Sequence, residues 1–525
     1  MSQLKNILFI MCDQLRWDYL SCYGHPHLET PNIDALAARG VRFTEAYCQA
    51  PLCGPSRASF YTGRYLTSHG SLANEDPLKV GELTLGDYLR AIGVRTAVVG
   101  KSDAAPNPTG LGRLQLDPQS EAGTNINQWG FEPYEVFSGL YPDPIVPPDL
   151  GYNAYLRRHG YEAENPWNFY AASARDETGQ RVDGWQMRHA GLPALIPEEH
   201  SETAFTTNRA IDFLDDVAPD ERWCLHLSYI KPHWPYIAPA PYHNLYTKDQ
   251  ILPAQRSEQE RHTPHPVVDA FMRQDYSENF SEEYVRETVI PTYMGLIKQV
   301  DDHLGRLFSY MEDKGLMEET LIVFTSDHGD YLGDHWLGEK DLFHDPSVKI
   351  PLIICDPTAK ADATRGTVDN RFAEAIDLIP TFIEAMGGAS QPQRLEGRSL
   401  LGLIHGETPE WREYAISEID YSDRGPRTLL DQPPYECRAY MIRSYDWKYI
   451  LYEGFRPQLF DLKNDPHEYI DLGEDPAYET IRQTMHEALF TWLRRRQIRT
   501  EMPTDFLFEM GPERDETYGV MIGHW

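Results

Sequence analysis

Cys53-Gly54-Pro55-Ser56-Arg57-Ala58-Ser59-Phe60-Tyr61-Thr62-Gly63-Arg64 opens on a cysteine two residues before a proline and runs on through small side chains to a glycine. Proline near the start of a helical run places Cys53 at or just before a helix N-terminus, where unpaired N–H groups favour an anion. Arg57, four residues on, can turn its charged fork toward the same spot. Two readings are open at this point: a reactive group held at an anion site, or a buried cysteine leading into an ordinary helix. The segments on either side discriminate between them.

Upstream, Ile7-Leu8-Phe9-Ile10-Met11 is apolar throughout, as a strand buried on both faces requires, and it ends on Cys12-Asp13-Gln14. Functional groups in open parallel sheets gather at the carboxyl ends of strands. Thr30-Pro31 offers a cap and a first-turn proline for a short helix ending at Gly40, followed by a strand from Val41. Downstream, Leu83 to Ile92 reads as a helix closed by Gly93, and Val94 to Val99 as a strand ending on Gly100-Lys101-Ser102-Asp103. Trp223 to Tyr229 is a further strand, with His226 a packed core residue, and it delivers Lys231-Pro232-His233-Trp234-Pro235. The two prolines fix the backbone around His233 and so the angle of its ring. Leu321-Ile322-Val323-Phe324 is another buried strand, ending on Thr325-Ser326-Asp327-His328-Gly329-Asp330. Asp13 and Gln14 on one strand end, with Asp327 and His328 on another, make a cation site that neither pair alone would justify. Lys340, in Gly338-Glu339-Lys340, is either a solvated loop charge or a cation for a substrate.

These strands alternate with helices, which predicts an α/β fold with a large mixed, mostly parallel sheet sandwiched by helices. Residues 104–200, rich in Pro, Gly, Asn and aromatics, read as an insertion that covers the site and selects substrates. Glu199 to Val217 is an amphipathic helix, and Ser281 to Gly315 a long one with Pro291 inside. The division falls near 410: residues 1–410 form the catalytic domain, and 411–525 a small C-terminal α+β unit. In the latter, short strands near 415–417, 441–443, 447–452 and 458–462 precede a helix with Ile481, Met485, Leu489 and Leu493 on one face. Thr504 to Trp525 has no period but carries Phe506, Phe508, Met510 and Trp525, which suggests a tail docked on a neighbouring subunit.

Forty-eight basic against eighty-one acidic residues give a formal charge of −33 in 525 residues, which argues against nucleic acid or an anionic membrane as a partner. An anionic substrate therefore needs a local basic cluster. The seven cysteines, at 12, 22, 48, 53, 224, 355 and 437, lack the spacings of a zinc site or disulfide framework, and reduced thiols fit best. The apolar run after Met1 is too short for a signal peptide or a membrane span, so a cytoplasmic protein is expected.

The stretch Cys53 to Gly63 resembles the signature of the sulfatase family, and the likeness continues over most of the chain. It implies an alkaline-phosphatase-like fold and oxidation of Cys53 to Cα-formylglycine by a formylglycine-generating enzyme. It implies a metal held by Asp13, Gln14, Asp327, His328 and the modified Cys53. Arg57, Lys101 and Lys340 are then expected on the substrate anion, Asn74 as a weaker contact, and His233, in a Lys-Pro-His-x-Pro run, as the acid for the leaving group. The pattern departs from many relatives at Asp103, where a histidine is usual. One hydroxyl of a hydrated aldehyde attacks sulfur or phosphorus and the other expels the product, which spares a second difficult displacement. Imidazole suits manganese, zinc or iron better than calcium, so His328 points to manganese, with calcium, zinc or magnesium as alternatives. The Asp-Gln and Asp-His pairs look most like the phosphonate monoester hydrolase and arylsulfatase branch. Lys101, where phosphonate-cleaving members more often have tyrosine, favours small sulfate monoesters over phosphonates and phosphodiesters, and a homo-oligomer of two or four chains is expected. The competing classes are a non-catalytic anion-binding member of the fold and an unmodified cysteine phosphatase.

Overall fold

A computed structural model describes residues 4–496 and 500–503. In its first half the strands are β1 (Asn6–Cys12), β2 (Val41–Tyr47), β3 (Val94–Gly100), β4 (Glu132–Val136), the hairpin β5 (Ser173–Arg175) and β6 (Arg181–Asp183), and β7 (Arg222–Tyr229). There follow β8 (Thr320–Ser326), β9 (Leu352–Cys355), β10 (Thr367–Glu374), β11 (Ala415–Asp420), β12 (Arg438–Arg443), β13 (Trp447–Tyr452) and β14 (Gln458–Asp461).

The eight-stranded main sheet has the order β10-β2-β9-β8-β1-β7-β3-β4. All seven residues of β1 are buried, because it sits mid-sheet with parallel neighbours β7 and β8 and is covered on both faces. Phe9 and Met11 face the core that includes Phe60 of the signature helix, while Leu8 and Ile10 face the core of the long helix Glu283–Asp313. The sheet is mixed and mostly parallel, as expected; β9 runs antiparallel to both β8 and β2. Pro291 lies inside the 31-residue helix without ending it.

The helix Pro31–Arg39 differs from expectation at its start. Thr30 makes no side-chain cap; its hydroxyl pairs with Ser21 at 2.7 Å, and Asp301 of the long helix accepts from Asn32 N and Ile33 N at 3.0 and 2.9 Å. A carboxylate from a remote segment thus serves the orphan N–H groups that a local hydroxyl was expected to serve. His226 is a core residue as anticipated: its ring stacks on Phe9 with centroids 4.4 Å apart, Tyr61 OH lies 2.8 Å from Nε2, and burial lowers its pKa to about 3.

A separate antiparallel sheet, β11-β12-β13-β14, is packed by Met485 and Leu489 of the helix Glu479–Arg494. Buried Lys448 of β13 ties it to the segment that leads into β9, reaching Asp345 at 2.7 Å and the Phe343 carbonyl at 2.9 Å. Residue 504 onward, the proposed docking tail, lies outside the described residues. All seven cysteines are free thiols, and among the described residues no helix is long and apolar enough to cross a membrane.

Candidate active site

The carboxyl ends of β1, β3, β7 and β8 converge on the N-terminus of the helix Cys53–Thr62, every residue of which is buried. Gly100 makes the convergence possible. With φ of +102°, it crosses so close to β7 that a Cβ would lie 1.9 Å from the Ser228 carbonyl oxygen.

Asp13, Cys53, Asp327 and His328 each offer a ligand atom within 4.8 Å of the others, and all four are buried. Cys53 Sγ lies 3.1 Å from His328 Nε2 and 3.7 Å from Asp13 Oδ1. His328 Nδ1 is 2.8 Å from the Gly329 carbonyl, which fixes the proton there and leaves Nε2 as the donor atom. Burial, with Lys340 adding to it, lowers the His328 pKa, so the ring is neutral, as a ligand must be. Two buried carboxylates and a neutral imidazole suit a divalent ion.

Gln14 is oriented by a residue to which the sequence reading gave no role. Its Nε2 donates to Asp330 Oδ2 at 2.5 Å, which turns Oε1 toward Lys340 Nζ, 2.9 Å away. Asp330 also accepts from Tyr236 OH at 2.7 Å. The signal was its place three residues after Asp327 at the end of the same strand.

Lys340 is wholly inside the site, contrary to the solvated alternative. Its Nζ lies 3.1 Å from Cys53 Sγ and 3.3 Å from His233 Nε2. Burial, Lys340 and Lys101 push the His233 pKa well below its ordinary value against the pull of Asp13. Lys101 Nζ pairs with Asp13 Oδ2 at 2.6 Å and with Asp103 at 3.2 Å, so Asp103 stands inside the cationic cluster. Although burial opposes its charge, Asp13 is held well below the usual carboxylate range by Lys101, His233, Arg57 and Lys340. Burial pushes the Cys53 thiol up to about 12, with Asp13 adding and Lys101 and Lys340 opposing.

Arg57 is more committed than expected. Its Nε donates to Asp327 Oδ2 at 2.9 Å, Nη2 to Asp13 Oδ2 at 3.0 Å, and Nη1 to the Lys101 carbonyl and Ser228 Oγ at 2.6 and 2.8 Å. Of the five N–H groups of a guanidinium, one on Nη2 is left for another acceptor. Asn74 is exposed, and its Oδ1 accepts from Gly54 N at 2.9 Å, so it pins the first turn of the signature helix.

The model of the family described as Sulfatase matches residues 5–389, well over half of the chain. The chain belongs to the sulfatase family. Residues 333–495 also match the C-terminal region of N-sulphoglucosamine sulphohydrolase. A multifunctional alkaline phosphatase superfamily protein, PehA, of Trinickia caryophylli is 33% identical over 93% of this sulfatase-family chain and 95% of its own length. An arylsulfatase of Clostridium perfringens is 26% identical over 94% of this chain and 95% of its own. Among solved structures, the phosphonate monoester hydrolase of Silicibacter pomeroyi superposes with a TM-score of 0.80 at 27% identity, covering 94% of this chain and 96% of that one. The fold is therefore alkaline-phosphatase-like, and members of this family generally use a metal ion and a formylglycine.

Proposed function

We propose that this chain hydrolyses sulfate monoesters, with phosphonate monoesters and phosphodiesters as the alternative or secondary substrates. The carrying observation is the setting of Cys53 Sγ, on a helix N-terminus within 3.7 Å of Asp13, His328 and Lys340. A divalent ion, manganese by the donor set and otherwise calcium, zinc or magnesium, would be held by Asp13, Gln14, Asp327, His328 and the side chain at 53, and would supply positive charge to acidify the nucleophile and polarise the ester anion. Conversion of Cys53 by a formylglycine-generating enzyme would replace a high-pKa thiol with an aldehyde whose hydrate provides both an attacking and an expelling hydroxyl.

The chain's own residues then divide the work. Lys101 and Lys340 hold the anion's oxygens, joined by the one uncommitted N–H of Arg57. Arg57 chiefly fixes the two carboxylates Asp13 and Asp327. Asn74 keeps the helix start in place. His233, its Nδ1 anchored 2.7 Å from the Trp234 carbonyl, points Nε2 at the reacting centre and delivers the proton to the departing oxygen. Around the nucleophile, Arg57, Lys101 and Lys340 are balanced by Asp13, Asp103 and Asp327, which leaves only the ion's charge to meet the substrate. That balance suits a singly charged ester better than a dianion. Division at 410, a cytoplasmic location and a homo-oligomer belong to the same reading. Side-by-side kcat/KM values for an aryl sulfate, an aryl phosphonate monoester and a phosphodiester test it. The order fails if either of the last two is preferred by more than about a hundredfold, or roughly 2.7 kcal/mol.

A further inference from the structure

The run that delivers the acid begins with Lys231, a buried cation that belongs neither to the anion site nor to the ligand cluster. It follows β7 by two residues, and its ammonium folds back over its own loop: Nζ lies 3.3 Å from the His233 carbonyl, 3.1 Å from the Pro235 carbonyl and 3.4 Å from Glu202 Oε2. A lysine has three N–H donors, and these three acceptors engage all of them. Unlike Lys101 and Lys340, it keeps nothing for a substrate oxygen. The loop is also closed by its own backbone, since His233 N donates to the Ile230 carbonyl at 3.0 Å and Ile237 N to the Pro235 carbonyl at 2.9 Å. The Trp234 carbonyl that anchors His233 Nδ1 stands between the two carbonyls Lys231 holds, so the ammonium fixes the piece of backbone from which the ring takes its angle.

Glu202 opens the helix Glu202–Asp216, where the free N–H groups of the first turn favour its charge. Its two carboxyl oxygens are divided. Oε2 faces Lys231, while Oε1 accepts from the indole N–H of Trp167 at 2.7 Å. Trp167 lies in the segment 104–200, is fully buried, and donates its backbone N–H to Asn153 Oδ1 at 2.7 Å. A donor on either side demands an acceptor at both oxygens, which a carboxylate offers and an amide does not. Burial lowers the Lys231 pKa, against the pull of Glu202 and Asp13. With Ala171, Ile196, Ile237 and Leu296 the pair lines a void of only about 10 Å³, barely room for one water, so neither charge has a ready substitute for the other.

Resting on the reading of His233 as the leaving-group acid, we propose that Lys231 and Glu202 are positioning residues for it, and that Trp167 makes the segment 104–200 part of the same support. The series Trp167, Glu202, Lys231 ends on the two carbonyls that flank the anchor of the imidazole, and so carries the placement of that segment to Nε2 of the acid. Proton delivery tolerates little displacement: a shift of about 1 Å in a reacting group costs on the order of a hundredfold in rate.

Rates of the active, metal-loaded enzyme over a series of esters with leaving groups of rising pKa test this. Lys231→Met, which keeps the stem and removes the donors, should lower kcat for poor leaving groups by about 10–100-fold and for activated aryl esters by less than about threefold, with KM little changed. Combined with His233→Ala, it should slow the enzyme little more than His233→Ala alone, because both act through one proton. Glu202→Gln and Trp167→Phe should tilt the series the same way in smaller measure. Lys231→Met leaves Glu202 buried without its cation; where that variant folds poorly, Lys231→Met with Glu202→Gln removes both charges and carries the same test. A loss in Lys231→Met that is equal for good and poor leaving groups, or that multiplies with the loss in His233→Ala, would overturn the positioning role, while a tilted His233→Ala series left the acid reading standing. An untilted His233→Ala series would instead sink the acid reading, and the positioning role with it.

Discussion

His233 Nε2 and Lys340 Nζ lie 3.3 Å apart. An ammonium can share that nitrogen only with a neutral ring, so Lys340 and burial together keep His233 unprotonated in the free site. In the proposed mechanism, an arriving ester anion would supply the charge that reverses this balance and let the ring carry a proton to the leaving oxygen. Replacing His233 with Ala should slow esters of poor leaving groups by about two to four orders of magnitude, with much smaller losses for activated aryl esters. Rates across a leaving-group series check this: equal losses, with no steeper dependence on leaving-group pKa, would mean that His233 binds the ester without delivering the proton.

Arg57 should behave differently because it serves the anion site and the ligands alike. Arg57→Ala is expected to lower kcat/KM by a similar factor for good and poor leaving groups. It also leaves Asp13 and Asp327 without the guanidinium that joins them, and breaking a buried pair costs roughly 3–5 kcal/mol. The melting temperature of the metal-free protein should therefore fall by more than that of the metal-loaded protein, in which a divalent ion takes over both carboxylates. Equal falls would show that Arg57 and the metal do not share these partners.

Asp330 holds the Gln14 amide at 2.5 Å and so decides which end of it faces Lys340. Asp330→Asn can donate as well as accept, and permits the Gln14 amide to reverse. Metal affinity should drop by about 10–100-fold, the usual effect of losing an outer-shell partner. Titration of the metal-free protein with manganese measures it; unchanged affinity would remove Gln14 from the ligand set.

The residues that announced themselves in the sequence are those whose role is set by a strand end. Asp13, Gln14, Asp327 and His328 follow apolar runs that could only be buried strands, and β1 and β8 are indeed hydrogen-bonded neighbours. What stayed hidden depends on contacts between distant segments. Thr30 looked like the cap, but it is Asp301 that supplies the carboxylate, to Asn32 N from 269 residues away. Lys340 entered the expected site through the family resemblance alone, because nothing local says that it meets Gln14 across 326 positions. The reversed direction of β9 is likewise invisible in a four-residue apolar strand, whose burial on both faces is the same either way.

A buried histidine pair beside this loop predicts how stability follows pH. His335 stacks on His344 with centroids 4.0 Å apart and lies 2.6 Å from Glu260 Oε1. Burial opposes charge on both rings, but Glu260 raises the His335 pKa above 6.5, while His344, next to that charge and to Lys448, is pushed well below it. A raised folded-state pKa gives stability that is fully present below about 6.5 and is lost as pH rises through the folded value. Denaturant midpoints should thus decline as pH rises above about 6.5, and Glu260→Gln should flatten that decline. A slope left unchanged by Glu260→Gln would mean that this pair is not its source.

Cys53 gives the final prediction. Burial and Asp13 keep its thiol protonated up to about pH 12, Lys101 and Lys340 notwithstanding, so as a thiol it is a weak nucleophile in the metal-free site. An aldehyde hydrate does not depend on losing that proton from sulfur, and its second hydroxyl allows the product to leave without attack on the esterified centre by water. Protein produced alongside a formylglycine-generating enzyme should therefore yield a Cys53 peptide about eighteen daltons lighter than the thiol form, with activity proportional to the converted fraction. Cys53→Ser, which keeps a hydroxyl but lacks the second one needed for expulsion, should at most react once and then stall. Full multiple turnover by protein carrying only cysteine at position 53 would instead require attack by sulfur, and would replace this mechanism with that of a cysteine phosphatase.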